Sequence, residues 1–438
     1  MLCLGQRDAE VMSVYLRDTR PGSRAEILAA DPVLSGAAYI RSVFLPNRCE
    51  MCRSGPRSGQ DNDPRESPAL RKVMNIYPLL QTLLLILVSF LSPSTNTADG
   101  RCSTFALIKG DSILVCNNDD WFCNVAYFTA NPRGVTKQTF LPSADKKLTW
   151  TSQYGSVTAN FNFVGSPSGG MNEMGLIIDE SWPGPCRYPR PDDRPVLDEI
   201  QWLQYQFDNC ATVDEVIETD SKLRIVGFFG RSHYFVCDKS GKAATIEWID
   251  GERVVHILSD GNIPALTNHN YDWSLEHIKN IQGFGGTNPV GDSPSSFDRF
   301  CRAAQKVKEY AESNDDIDPY EYGFGVLDDI SQRSTMFNWI YDINNLTIYY
   351  RTAWSRETKK IPLSKFDFGK RQILMADVLT SDSGDITGNF TPYTLERNRD
   401  FVTRVIKNWR KNKFAMHITE DDIEKMIHYP ETMSFEAE

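Results

Sequence analysis

The hydrophobic and polar pattern changes character twice along the chain. Residues 1–73 are polar and Arg-rich with no sustained period, and residues 53–72 are dense in Gly, Pro, Ser, Arg and Asp. Such a stretch buries too little apolar surface to offset the entropy of ordering, so it reads as disordered or as a mis-assigned extension. Arg71, Lys72 and Met74 then lead into an apolar run from Tyr77 to Leu91, which ends in a polar Ser-Pro-Ser-Thr-Asn-Thr-Ala segment. A basic flank, a Leu-rich centre and a polar, small-residue end make a secretory signal peptide. The run is short for a membrane-spanning helix of about 20 residues. Residues 74–101 are therefore expected to be a signal peptide and short propeptide, and the protein to be secreted or periplasmic. An uncleaved signal-anchor with a cytoplasmic tail is the alternative.

From Cys102 onward the chain breaks into short β-runs joined by tight turns. Thr104–Lys109 and Ser112–Cys116 flank Gly110-Asp111, a hairpin signal. Asn124–Ala130, Val157–Val164 and Gly175–Asp179 read as further strands. His233–Cys237, Ala243–Ile249 and Arg253–Leu258 form a meander with turns at Ser240-Gly241 and Asp250-Gly251. Helical spacing appears at Leu197–Phe207, Val213–Thr219, Asp272–Asn280 and Phe297–Tyr310, the last capped by Ser295 or Ser296. Thr335–Ile343 and Leu346–Thr352 make a second hairpin, and helices follow at Leu395–Lys411 and after Thr419. Strands, then helices, then strands again is an α+β pattern. Residues 102–375 are expected to form one domain, with 376–438 a helical C-terminal extension.

Composition narrows the function. A formal net charge of −11 argues against a nucleic-acid or anionic-membrane partner. Seven cysteines lie from Cys102 onward, and an export signal would permit disulfides among the six other than Cys102. Cys49 and Cys52 form a lone CxxC of little weight. His233, His256, His269 and His277 have no metal-ligand spacing, so neither a metal nor another cofactor is expected. Asn345-Leu346-Thr347 and Asn389-Phe390-Thr391 are glycosylation sequons if the source is eukaryotic.

Cys102 is the residue with the most chemistry. If processing made it the first residue, it would carry a nucleophile and a base together. Its thiol has a reference pKa of about 8.5 and a free α-amine about 7.7, so the amine can take the thiol's proton near neutral pH. The end of the following strand, Asn117-Asn118-Asp119-Asp120, returns close to Cys102 in a hairpin of this length. Taken singly, each residue has a blander explanation: a core thiol, a turn aspartate, core aromatics.

Taken together, the pieces resemble a known family. Asn117-x-x-Asp120-Trp121 follows Cys102, and then come Gly170-Met171-Asn172-Glu173-Met174-Gly175-Leu176, Leu266-Thr267-Asn268 and Ser296-Phe297-Asp298-Arg299-Phe300. Trp339–Asp342 and Ile348–Thr352 extend the match. This order is similar to the choloylglycine hydrolase family of linear amide C–N hydrolases, which includes penicillin V acylases and bile salt hydrolases. The resemblance implies a four-layer αββα fold of the N-terminal nucleophile hydrolase type. It implies Cys102 as nucleophile, Asp120 on its amine, Asn268 polarising the scissile carbonyl and Arg299 supporting the cluster. Two positions depart. Asn117 stands where many members have an arginine that would favour the thiolate. Trp182 stands where bile salt hydrolases have an oxyanion-hole asparagine.

The expected activity is hydrolysis of a small-molecule N-acyl amide: an acylated β-lactam, an acyl-homoserine lactone or a conjugated bile acid. Trp121, Ser181 and Trp182 are the expected substrate-binding residues. No stable membrane association is expected once the signal is cleaved, and a homo-oligomer stays open. The rival expectations are an acyltransferase using the same thioester and an inactive, membrane-tethered binding module.

Overall fold

The computed structural model describes residues 102–435 except 142, 143, 145, 183–185, 259 and 260. The expected extension, signal peptide and propeptide (1–73 and 74–101) lie outside the described residues.

Two antiparallel hairpins build the first sheet. β1 (Ser103–Lys109) turns back at Gly110, whose φ of +58° suits a residue without Cβ, into β2 (Ser112–Asp120). The register is Ser103 opposite Asn118 and Thr104 opposite Asn117. The second sheet contains β3 (Tyr127–Asn131), β4 (Ser156–Asn160), β5 (Pro167–Asn172) and β6 (Ile177–Ser181). It continues through the meander β7 (His233–Cys237), β8 (Ala243–Ile249) and β9 (Glu252–Ile257). The chain then returns to the first sheet with β10 (Ala265–Leu266), β11 (Thr335–Asp342), β12 (Thr347–Thr352) and β13 (Ser355–Pro362). β14 (Leu374–Asp377), β15 (Gly384–Asp385) and β16 (Thr391–Pro392) complete the two sheets. The strand orders are β10-β1-β2-β11-β12-β13-β15 and β9-β8-β7-β6-β5-β4-β3-β14-β16. β1 is thus an inner strand, paired on both sides.

The sheets face one another through alternating apolar positions. Phe128 of β3 meets Trp339 of β11 edge-on, with ring centroids 5.5 Å apart. Phe161 meets Phe337 at 5.6 Å. Helices cover the outer faces. α1 (Glu199–Asn209) and α2 (Val213–Glu218) bury Leu203, Phe207 and Val213 in one cluster with Ile178, Tyr234 and Ile246 of the second sheet. α3 (Tyr271–Ile278), α4 (Ser296–Glu312) and α5 (Pro319–Asp329) cover the first sheet, and the buried stripe Phe300, Ala303, Ala304 and Val307 of α4 faces it. The architecture is an α+β, four-layer αββα sandwich.

The C-terminal segment after residue 376 contains α6 (Leu395–Lys411) and α7 (Glu420–His428). These helices are not peripheral. Phe401, Val402, Val405 and Trp409 are buried with Tyr127, Phe163 and Met375 on the outer face of the second sheet. One ion pair is fully enclosed: Lys137 Nζ lies 2.8 Å from both oxygens of Asp208. Trp150 Nε1 and Gln204 Nε2 donate to the same carboxylate at 2.7 and 2.9 Å.

All seven described cysteines are free thiols, so the six that an oxidising environment would allow to pair are single residues here. Six are buried, and only Cys102 is partly exposed. Among the described residues no helix is long and apolar enough to cross a membrane.

Candidate active site

Cys102 heads β1, one residue before the paired strand begins. One step further along the hairpin register it faces Asp119, and its Sγ lies 3.9 Å from Asp119 Oδ1. Side chains alternate along a strand, so Cys102, Thr104, Asn117 and Asp119 share the face toward the second sheet. Ser103 points the other way, to α4.

That second face carries the clamp. Arg299 sits in the first turn of α4, whose cap Ser295 accepts from the Asp298 backbone N–H. The guanidinium is fully buried. Its Nη1 donates to the Cys102 carbonyl at 2.8 Å and to Ser103 Oγ, its Nη2 to Asn268 Oδ1 at 2.5 Å, and its Nε to the Pro294 carbonyl at 3.2 Å. Arginine only donates, so Asn268 must present its oxygen to it, which turns the amide nitrogen toward residue 182. Asn268 Nδ2 donates to the Trp182 carbonyl at 2.7 Å. The Leu-Thr-Asn segment itself is held by β10 pairing with Thr104 and Phe105. Ser296 pins it at both neighbours, bonding Thr267 Oγ1 at 2.8 Å and the His269 N–H at 2.9 Å. Cys102, Arg299 and Asn268 therefore form one connected unit.

Other expected residues are Asn117, Asp120 and Ser181. Asn117 is buried, and its Nδ2 donates to Thr104 Oγ1 at 2.8 Å. Asp120 is fully buried, and its carboxylate accepts from Gln332 Nε2 in the loop after α5 and from Thr335 Oγ1 at the head of β11. Ser181 is buried in β6, where it pairs with His233 of β7 and its hydroxyl has no hydrogen-bond partner among the described residues. Its neighbours Glu180 and Trp182 form the cavity wall instead.

That cavity, of about 50 Å³, opens beside the Cys102 thiol. Trp121, Phe161, Trp182, Phe229 and Phe414 line it, together with Asp119, Asn162, Ser168, Glu180 and Glu199. Glu199 is tied down by the backbone N–H groups of Phe228, Phe229 and Gly230, at 2.7, 2.7 and 2.5 Å. Trp182 lies flat against Gly230, where a Cβ would come within 3.1 Å of its ring. No group of three or more metal-ligating side chains occurs among the described residues.

The electrostatics are dominated by burial. Burial, and next the negative charges of Asp119 and Asp120, push the Cys102 thiol well up; a hydrogen bond from the Asp120 backbone works against them. Burial raises Asp119 to about 7 despite its hydrogen bond from Trp339 Nε1 at 2.5 Å. Glu180 is raised by burial to about 8, opposed by Ser232 and Ser168 hydroxyls.

Sequence reasoning missed three contributors. Asp119 was hidden beside Asp120, because only the strand register decides which of two adjacent aspartates faces the thiol. Glu180 sits in a strand assigned two residues too early. Phe414 comes from the opposite end of the chain and had no local signal.

Two stacked sheets clad by helices, with a cysteine at the head of an inner strand and open to a cavity, define an N-terminal nucleophile hydrolase fold. The model of the linear amide C–N hydrolases, choloylglycine hydrolase family, matches residues 131–373. That is more than half of the chain, which belongs to this family and is a linear amide C–N hydrolase. Penicillin V acylase from Pectobacterium atrosepticum is 27% identical over 292 residues, 56% of this chain and 77% of that one. The penicillin V acylase structure from Agrobacterium tumefaciens superposes with a TM-score of 0.59 at 24% identity, covering 67% of this chain and 98% of that one. A variant of conjugated bile acid hydrolase from Clostridium perfringens gives 0.55 at 18% identity, covering 65% and 99%. At these identities the two structures share the fold.

Proposed function

We propose that the protein is an exported amidase whose mature chain begins at Cys102 and which cleaves N-acyl amides through a thioester on that residue. The observation carrying this reading is the Arg299 clamp, which joins the Cys102 carbonyl to Asn268 while the thiol opens into the cavity. Sγ attacks the amide carbon, and its proton passes to the freed α-amine of Cys102 and then to the leaving amine. The C–N bond breaks, a thioester remains, and water hydrolyses it to acid and thiol. Asn268 Nδ2 and a second donor near Ser181 and Trp182 stabilise the tetrahedral oxyanion, and preorganised donors of this kind supply roughly 3–4 kcal/mol each. The α-amine is available only when nothing precedes Cys102, because an amide nitrogen is no base. The aromatic walls formed by Trp121, Phe161, Trp182, Phe229 and Phe414 suit an apolar acyl group beside Cys102.

Intact mass and N-terminal sequencing of active protein, with hydrolysis of a panel of N-acyl amides, test the proposal. The expected first residue is Cys102, and Cys102→Ala is expected to be inactive. Active protein that retains Arg101 would refute the role of the amine.

A further inference from the structure

One wall of the cavity comes from the far end of the chain, beyond the residues that define the family. Phe414 lies in the loop between α6 and α7. Its ring centroid is 5.3 Å from each of Trp121, Phe122, Trp182 and Trp409. It lines the cavity together with Cys102.

The backbone around it is unusual. Lys413 and Ala415, on either side of Phe414, have φ of +55° and +47°, in the left-handed region that side chains with a Cβ rarely adopt. Such conformations persist only where the surroundings impose them. Here the Phe414 N–H bonds the Trp409 carbonyl at 2.9 Å, and the Asn412 N–H bonds the carbonyls of Asn408 and Trp409 at 3.1 Å. On the far side, His417 Nε2 donates to the Phe228 carbonyl at 2.9 Å. Phe228 begins the segment whose N–H groups hold Glu199 and whose Phe229 lines the cavity. The loop is thus strapped to α6 at one end and to the opposite cavity wall at the other. Met416, 66% exposed, forms its outer side.

We infer that Phe414 is a specificity-determining residue that sets the size of the group able to sit beside Cys102. On the reading above, which this inference rests on, that group is the acyl chain. The ring is part of the wall that any group filling the cavity beside Cys102 must pack against. Removing it enlarges the space without touching Cys102, Arg299 or Asn268.

Phe414→Ala and the milder Phe414→Leu test this by two readouts, each with a melting curve to establish folding. The first is alkylation of Cys102 by iodoacetamide and by a bulky aryl maleimide, with the labelled peptide identified by mass. The bulky-to-small rate ratio is expected to rise at least about tenfold in Phe414→Ala and less in Phe414→Leu. The second is kcat/KM for p-nitroanilides from acetyl to dodecanoyl. The preferred chain is expected to lengthen, with the long-to-short ratio rising by about tenfold or more. An unchanged labelling ratio in a folded variant overturns the inference. A raised labelling ratio in a protein that hydrolyses none of the amides keeps Phe414 as the wall and refutes the hydrolytic reading instead.

Discussion

Asp119, and not the adjacent Asp120, faces the Cys102 thiol: its Oδ1 lies 3.9 Å from Sγ, while Asp120 is held by Gln332 and Thr335. A carboxylate in that position opposes the thiolate. Asn117 carries no charge to offset it, and the Arg299 guanidinium lies on the other face of β1, bonded to the Cys102 carbonyl. Burial and these carboxylates favour the protonated thiol, so on the mechanism proposed above the freed α-amine has to remove its proton against that bias.

Asp119→Asn is expected to lower the pH midpoint of Cys102 alkylation. Two unit charges about 4 Å apart at an effective dielectric of 20 interact by about 4 kcal/mol, an upper bound of roughly three pKa units. A downward shift of at least about one unit is expected. Below about pH 7 Asp119 takes up its proton, so the two proteins should converge there. An unchanged midpoint would place the Asp119 charge outside the thiol's control.

Stability should fall as pH rises, partly because of Glu180. Its folded-state pKa is raised from 4.5 to about 8, so the folded protein holds this proton more tightly than the unfolded chain does. The stabilisation is full below about 4.5 and is lost as pH climbs to about 8. Glu180→Gln is neutral throughout, so the melting-temperature gap between variant and wild type should open in the variant's favour across that window. The effect is capped at about 5 kcal/mol. A constant gap from pH 4.5 to pH 8 would show that Glu180 is not titrating there.

The enclosed Lys137–Asp208 pair carries a different expectation. Both side chains are essentially inaccessible, at 1% and 0% exposure. Lys137→Met leaves an uncompensated carboxylate and should cost about 3–5 kcal/mol in chemical denaturation. Adding Asp208→Leu should restore part of that loss. A single variant as stable as wild type would mean that Trp150 and Gln204 suffice to hold the carboxylate.

Arg299→Lys keeps the charge and loses the fork that reaches Cys102, Ser103 and Asn268 together. Misplacing a reacting group by about 1 Å can cost about 100-fold, so kcat should fall by that order while KM changes little. If kcat and KM were both unchanged in a folded variant, Arg299 would be a packing residue rather than a positioning one.

Much of the fold was legible because its signals are local. Gly110-Asp111 marked the first hairpin, the meander from His233 onward follows its alternation, and α6 runs over the expected Leu395–Lys411. α5 escaped notice: Asp318-Pro319 is a sound start signal, but its Gly323 and Gly325 weaken the helical pattern. Gly323 packs there because a Cβ would come within 3.1 Å of Cys116 Sγ. The cysteine, Asn268 and Arg299 could be picked out as neighbours through the family pattern. What the chain order cannot express is which face of β2 each aspartate occupies, or that residue 414 returns to residue 102.

The register of the first hairpin has a chemical consequence. Thr104 pairs with Asn117 because the turn at Gly110 has its present length. Inserting or deleting one residue there would reverse every side chain of β1 relative to its partner. The Ser103 hydroxyl would then face the cavity, and the sulfur would lie beneath α4 against the Arg299 guanidinium. A surface turn about 25 Å from the cavity, at 3.3 Å per residue, thus decides whether a thiol or an alcohol faces the cavity. In this protein loop length is part of the chemistry.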